Sequence, residues 1–163
     1  MKNIAFPQSK LYSIKQLGFL REIWRLQGKK VAFTNGCFDI LHVGHIASLS
    51  KAAEQADILI VGINSDESTK RLKGPTRPIN AEKERSLMLA NLLIVDAVVV
   101  FEEDTPLELI NVIKPDVLVK GGDYTIDQIV GAKEVIGWGG QVVVNDIVAG
   151  FSTTNIVERI QHL

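Results

Sequence analysis

Two of the three histidines in this 163-residue chain, His42 and His45, stand three positions apart and enclose Gly44. Imidazole N–H groups so placed can donate to the non-bridging oxygens of a phosphate, and do so best where negative charge grows during a reaction. Histidines satisfied by backbone groups, or a metal site, are the competing readings. No cysteine or carboxylate spacing nearby completes a plausible zinc set. The third histidine, His162, lies near the C-terminus and reads as solvated.

The residues before the pair explain how it is presented. Val31, Ala32 and Phe33 read as an apolar strand, and Asn35-Gly36 as a turn pair. Ile46, Leu49, Ala52 and Ala53 then recur at helical spacing. A strand stops, a loop turns, and a helix opens with a histidine at its mouth, where free N–H groups and a partial positive charge suit a phosphate. Backbone N–H groups of Asn35, Gly36, Cys37 and Phe38 can approach that phosphate, with Gly36 allowing close contact and unusual dihedrals. Asp39 either fixes the loop or binds the second substrate. Cys37, the single cysteine, reads as a small packing residue rather than a nucleophile.

Three more polar clusters follow a strand or open a helix. Lys70, Arg71, Lys73 and Arg77 fall in a stretch broken by Gly74, Pro75 and Pro78, which reads as a basic flap; a solvated charge run is the plainer alternative. Lys120-Gly121-Gly122-Asp123-Tyr124 leaves room against the backbone, and Asp123 either accepts from hydroxyls or caps a tight turn. Ser152, Thr153 and Thr154 set hydroxyls beside the free N–H groups of a last helix, as a second anion site, as N-caps, or as both.

The elements that position these clusters alternate. Residues 1–28 read as an arm and a helix, capped by Ser13, with Ile14, Leu17, Leu20, Trp24 and Leu26 inward and Gly28 at its end. Apolar runs at 57–63, 95–101, 116–120 and 141–144 suit strands buried on both faces. Between them, Asn64-Ser65-Asp66 caps one helix. A second spans 81–93 with Leu87, Met88, Leu89 and Leu92 inward. Thr105-Pro106 caps and starts a third, ending at Ile113, a weaker one spans 129–136, and Ser152 caps the last, to Ile160. The pattern predicts a Rossmann-like, doubly wound, five-stranded parallel sheet with helices on both faces. One domain is expected over 1–163, with 29–163 as catalytic core and its crevice at the carboxyl ends of the strands.

Composition narrows the function classes. Lys and Arg total 18 against 19 Asp and Glu, a net charge of −1 that gives no basic surface for nucleic acid. No apolar run reaches membrane-spanning length and no signal-peptide core is present, so neither a membrane nor export is expected. A lone cysteine fits a reducing cytoplasm. Neither an ATPase phosphate loop nor a dinucleotide fingerprint occurs, and no serine–histidine–acid set stands out.

The stretch Thr34-Asn35-Gly36-Cys37-Phe38-Asp39-Ile40-Leu41-His42-Val43-Gly44-His45 resembles the phosphate-binding motif of the cytidylyltransferase-like nucleotidyltransferase superfamily. Over about residues 29–160 the chain is similar, more closely, to bacterial D-glycero-β-D-manno-heptose 1-phosphate adenylyltransferases. Lys73-Gly74, Arg77-Pro78 and the Lys120–Tyr124 segment carry that closer likeness. The resemblance implies that His42 and His45 hold a nucleoside triphosphate and stabilise the transition state of attack at its α-phosphorus. It places Thr34, Asn35, Gly36, the main chain of Phe38, Lys120, Gly121 and Asp123 against the nucleotide, and Ser152, Thr153 and Thr154 on its β- and γ-phosphates. Lys73 contacts the triphosphate or the sugar phosphate, and Asp39, Arg77 and Asp123 lie toward the acceptor. Glycerol-3-phosphate cytidylyltransferases carry an arginine where this chain reads Ile147-Val148-Ala149-Gly150.

The implied reaction joins ATP and heptose 1-phosphate into ADP-heptose and pyrophosphate for surface-glycan assembly. Mg²⁺ accompanies ATP, and no residue is assigned as its ligand. A homodimer is implied, as is a sugar kinase on a separate protein, since relatives often fuse one and these residues hold none. Two other readings stay open: a cytidylyltransferase for glycerol 3-phosphate or another phosphorylated acceptor, and an inactive nucleotide-binding module.

Overall fold

Val31–Gly36 forms strand β1, central in a five-stranded sheet, and the first four of its residues are buried. The structure is a computed structural model and describes residues 6–145 and 151–162. The other strands are β2 (Ile58–Asn64), β3 (Ala97–Phe101), β4 (Val117–Gly121) and β5 (Gln141–Asn145). Their order is β3-β2-β1-β4-β5 and every pairing is parallel, with Val31 opposite Ile58, Ile60 opposite Ala97, Ala32 opposite Val117 and Val117 opposite Gln141.

Alternation along each strand serves two cores. Phe33 and Ile60 face α1 (Ile14–Leu26), α5 (Leu107–Ile113) and α6 (Ala132–Gly137) through Leu17, Leu109, Ile110 and Val135. Ala32, Leu59 and Val61 face α2 (Val43–Ala53) and α4 (Glu82–Ala90) through Leu49, Ala52, Leu89 and Ala90. This is the doubly wound α/β sheet that the sequence predicts. The winding direction reverses between β1 and β4, where such sheets open a crevice. Among the described residues no helix is long and apolar enough to cross a membrane.

Side-chain caps form at the starts of α1, α3 (Asp66–Lys73) and α7 (Thr153–Gln161). Ser13 and Gln16 form a reciprocal capping box on α1, and Gly28 leaves it at φ +70°. Ser65 caps α3, and Ser152 caps α7, where none of the residues is fully buried.

Five expectations need correction. Asn35 and Gly36 do not turn; they pair with Gly62 and Ile63, and the chain turns just beyond them, at Phe38, whose φ is +48°. Lys70, Arg71 and Lys73 belong to the last turn of α3, where cations meet the carbonyl end of a helix, and Gly74 at φ +100° ends it. Helix α4 stops at Ala90; Leu87, Met88 and Leu92 are half-buried, and the face turned inward is Arg85, Ser86, Leu89 and Ala90. Thr105 gives α5 no side-chain cap. The segment at 129–136 becomes helical only from Ala132, after a 3-10 turn at Ile126–Gln128. The contrast with an arginine at 147–150 falls outside the described residues.

Candidate active site

Helix α2 has His42 at its N-cap and His45 in its first turn. The two rings stack, with centroids 3.8 Å apart and planes at 20°. Phe38 lies beside His45 at 5.2 Å, and the same ring explains Gly36: a Cβ there would come within 3.1 Å of it. Gly36 is therefore required by close approach, not by an unusual dihedral. Nδ1 of both histidines is buried and has no hydrogen-bond partner among the described residues. Imidazoles held by backbone groups would not leave both atoms unpaired. Burial holds His42 below the ordinary imidazole value. It lowers His45 to about 4, with His42 adding to the shift and the Ile40 carbonyl opposing it without forming a directed hydrogen bond.

The pair faces a cavity of about 360 Å³. Ser152, Thr153 and Thr154 at the mouth of α7 line its other side, and Lys73, Arg77, Asp39 and Gly121 complete it. Two helix mouths thus share one space. They meet at Gly44, where a Cβ would stand 3.3 Å from Cβ of Phe151. A Cβ on Gly121 would meet Oγ of Ser48 at 3.0 Å, so glycine lets the end of β4 approach α2. Ser152 Oγ accepts from the Asn155 N–H at 3.0 Å as a cap and keeps its own proton to donate. Such a space presents donors and positive potential on two sides, the arrangement that suits a polyphosphate.

Of the four cations in the basic segment, three are engaged. Lys70 pairs with Glu67, Arg71 with Asp104 and Arg77 with Asp39, whereas Lys73 makes no ion pair among the described residues. Asp39 is 1 % exposed and its oxygens are taken: they accept from the N–H groups of Ile79 and Asn80 at 2.8–2.9 Å and from Arg77. Burial pushes its carboxyl up, but Asn80, Ile79 and Arg77 outweigh it and the net shift is downward. Asp39 therefore ties the histidine loop to residues 77–80, the loop-fixing alternative. Replacing Asp39 by Asn should cost about 1–3 kcal/mol by orphaning buried donors, read as a lower urea midpoint at unchanged slope.

Arg85, fully buried in α4, was not expected here. It donates to the Cys37 carbonyl at 2.6 Å, the Asn80 carbonyl at 3.0 Å and the Asp66 carboxylate at 2.8 Å. One guanidinium joins the end of β1, the segment after the basic stretch and the start of α3. The available signal was its position: Arg85 and Ser86 precede Leu89 and Ala90 by one helical turn.

A second cavity, of about 380 Å³, opens at the carboxyl ends of β1, β2 and β4 and shares Cys37 and Lys73 with the first. Asn35, Gly36 and Lys120 line this one. Thr34, buried within β1, and Asp123, exposed, line neither.

The unpaired His45 ring also sets a pH dependence. In the unfolded chain an imidazole takes its proton near 6.5; in the folded chain His45 waits until about 4. Above 6.5 it is neutral in both states. Between 6.5 and 4 the unfolded state binds more protons, so stability falls as pH falls, and below 4 the effect is complete. Urea midpoints at pH 7.0 and 4.5 should therefore differ more for the wild type than for His45→Gln.

The cytidylyltransferase-like family pattern matches residues 33–159, and the chain is a member of that family, a nucleotidyltransferase. Among its relatives, it is 50 % identical over 159 residues to the bifunctional protein HldE of Paramagnetospirillum magneticum, covering 98 % of this chain and 33 % of that protein. The chain thus spans about a third of the length of the curated relatives it matches. A solved lipopolysaccharide core biosynthesis protein from Thermoplasma volcanium is 29 % identical with a TM-score of 0.59, over 74 % of this chain and 98 % of that one. Pantoate-beta-alanine ligase from Francisella tularensis, solved with an ATP analogue and beta-alanine, shares the fold at a TM-score of 0.62 and 19 % identity, over 94 % and 78 % of the two chains.

Proposed function

We propose that this chain transfers AMP from ATP to D-glycero-β-D-manno-heptose 1-phosphate, releasing pyrophosphate. The observation that carries the proposal is the pair of stacked imidazoles, each with a buried Nδ1 that has no partner among the described residues, opposite a second helix mouth across one cavity. An oxygen of the sugar phosphate attacks the α-phosphorus in line, and the bond from that phosphorus to the oxygen bridging to the β-phosphorus breaks. The nucleophile is already an anion at neutral pH, so no strong base is needed. Catalysis is positioning and charge stabilisation. His42 and His45 donate to the α-phosphoryl oxygens as charge develops, and the α7 mouth holds the leaving pyrophosphate through Ser152, Thr153 and Thr154. Lys73 adds a cation that forms no ion pair among the described residues.

ATP enters as its magnesium complex. Magnesium bound to the triphosphate neutralises charge on its phosphates, and the protein adds donors around it. The likeness to HldE proteins and to a lipopolysaccharide core biosynthesis protein supports a sugar nucleotide for lipopolysaccharide as product. Residues 29–163 act as the catalytic unit in a cytoplasmic homodimer, and a sugar kinase supplies the acceptor.

The test is pyrophosphate release from ATP or CTP, each with heptose 1-phosphate or glycerol 3-phosphate. Release is expected with ATP and heptose 1-phosphate. Release confined to CTP and glycerol 3-phosphate would replace this reading with a cytidylyltransferase. No release with any pair would leave a nucleotide-binding module.

A further inference from the structure

Lys120 occupies an unusual position. It lies at the carboxyl end of β4, is largely buried, and forms no ion pair among the described residues. The one side-chain hydrogen bond it makes among them is long, 3.4 Å from Nζ to Oδ1 of Asn35. The Tyr124 ring stands 6.0 Å away, at the edge of cation–π range. Buried ammonium groups are normally paired, because desolvation without a counter-charge is costly. Here burial lowers the affinity for the proton. The Cys37 sulfur opposes that shift and the nearby Lys73 reinforces it. Two cations therefore converge, and neither has an ion-pair partner among the described residues.

They converge where the two cavities adjoin, at a boundary that forms a neck between them. Lys73 lines both cavities, Lys120 lines the second, and Cys37 forms the shared wall. Beyond that neck the second cavity is mixed in character. Asn64, Asp104, Tyr124 and Gln128 offer hydrogen-bonding groups, and Leu118 and Ile129 offer apolar surface. A polyhydroxylated ring with an apolar face needs such a lining, and about 380 Å³ is room for one. In-line displacement sets a further condition: the nucleophile must enter on the side of the α-phosphorus opposite the leaving pyrophosphate. With the first cavity and its two helix mouths given to the triphosphate, the neck is the remaining entrance.

We infer that Lys120 is a binding residue for the acceptor rather than for the nucleotide: with Lys73 it seats the acceptor's phosphate at the neck, and the second cavity holds the sugar. This inference rests on the adenylyl-transfer reading for the naming of the sugar but not for the placement of the phosphate. It also moves Lys120 from the nucleotide set, where the sequence resemblance puts it, to the acceptor set.

Calorimetric titration of the whole chain separates the two assignments. The probes are heptose 1-phosphate and glycerol 3-phosphate, each titrated into enzyme saturated with α,β-methylene-ATP, and α,β-methylene-ATP alone. Lys120→Gln should weaken binding of the phosphorylated acceptor at least tenfold and that of the ATP analogue less than twofold, while Lys120→Arg should recover part of the loss. Thermal melting identifies any variant that fails to fold, and Tyr124→Phe combined with Gln128→Ala then tests the sugar end, with the same acceptor-selective loss expected. Weakening of the ATP analogue by as much as the acceptor, loss of the analogue alone, no change in either, or a wild type that binds neither acceptor would overturn the inference. A wild type that binds glycerol 3-phosphate through Lys120 but not heptose 1-phosphate would keep the subsite and fail the proposed acceptor. Normal adenylyl transfer with acceptor affinity unmoved in Lys120→Gln would do the reverse.

Discussion

His45→Ala should lower kcat for pyrophosphate release by roughly a hundred- to a thousandfold, the usual cost of removing one aligned donor to a developing oxyanion. Its effect on stability should be small. Among the described residues the ring finds no hydrogen-bond partner for its buried Nδ1, so removing it deletes an uncompensated polar atom along with the stack on His42. KM for ATP should rise less than kcat falls, because a group that acts on the charge of the transition state contributes little to ground-state binding. Steady-state kinetics and a melting curve on the same preparation check both halves. A loss of melting temperature large enough to account for the loss of rate would remove His45 from the chemistry and make it a packing residue. Because the ring stays neutral at pH 7, it acts as a donor of its own N–H and not as a standing positive charge.

Arg85→Leu should cause the larger loss of stability, about 3 kcal/mol or more, because one substitution strands a carboxylate and two carbonyls. Asp66 keeps some contact with water, its side chain being 30 % exposed, which sets the cost toward the lower end for a broken buried pair. For a chain of this length that corresponds to a fall in melting temperature of roughly 6–12 °C. Lysine should not rescue it. An ammonium is a single point, whereas three acceptors on three segments are met here by a planar fork. Activity at a temperature where the variant is folded should also fall, because the Cys37 carbonyl is part of the loop that carries both histidines. Calorimetric melting of the Leu and Lys variants beside the wild type checks the magnitude and the failure of rescue. A lysine variant that melts like the wild type would mean that charge, not the fork, matters.

These two residues also mark what could be read from the chain. His42 and His45 announce themselves because histidine is scarce and the strand, loop and helix around them are written in local patterns. The parallel sheet was legible for a similar reason: strands buried on both faces, such as Ile58–Asn64, are continuous apolar runs that resemble nothing else of that length. Ser152 and Ser13 were legible as caps because capping is decided within four residues. Arg85 was not. Hydrophobic periodicity assigns a charged helical residue to solvent, and its partners are main-chain and side-chain oxygens 5, 19 and 48 positions away. Nor was the second cavity, whose lining comes from β1, β2, α3, β4 and the turn after β4 and assembles only through the order of the strands. The basic flap was misread in part because Gly74 and Pro75 fall after Lys73, so three of the four cations precede the break and finish a helix.

Strand β1 serves as a common ruler. It is bonded to β2 along one edge and to β4 along the other, and Cys37, the residue at its tip, belongs to the walls of both cavities. A slip of one residue would turn every side chain of the strand to the opposite face. The same slip would move the histidine loop and the neck together. Two reactants measured from one datum keep their separation when the rest of the molecule breathes, whereas a scaffold that placed them from different strands would let the gap between them drift.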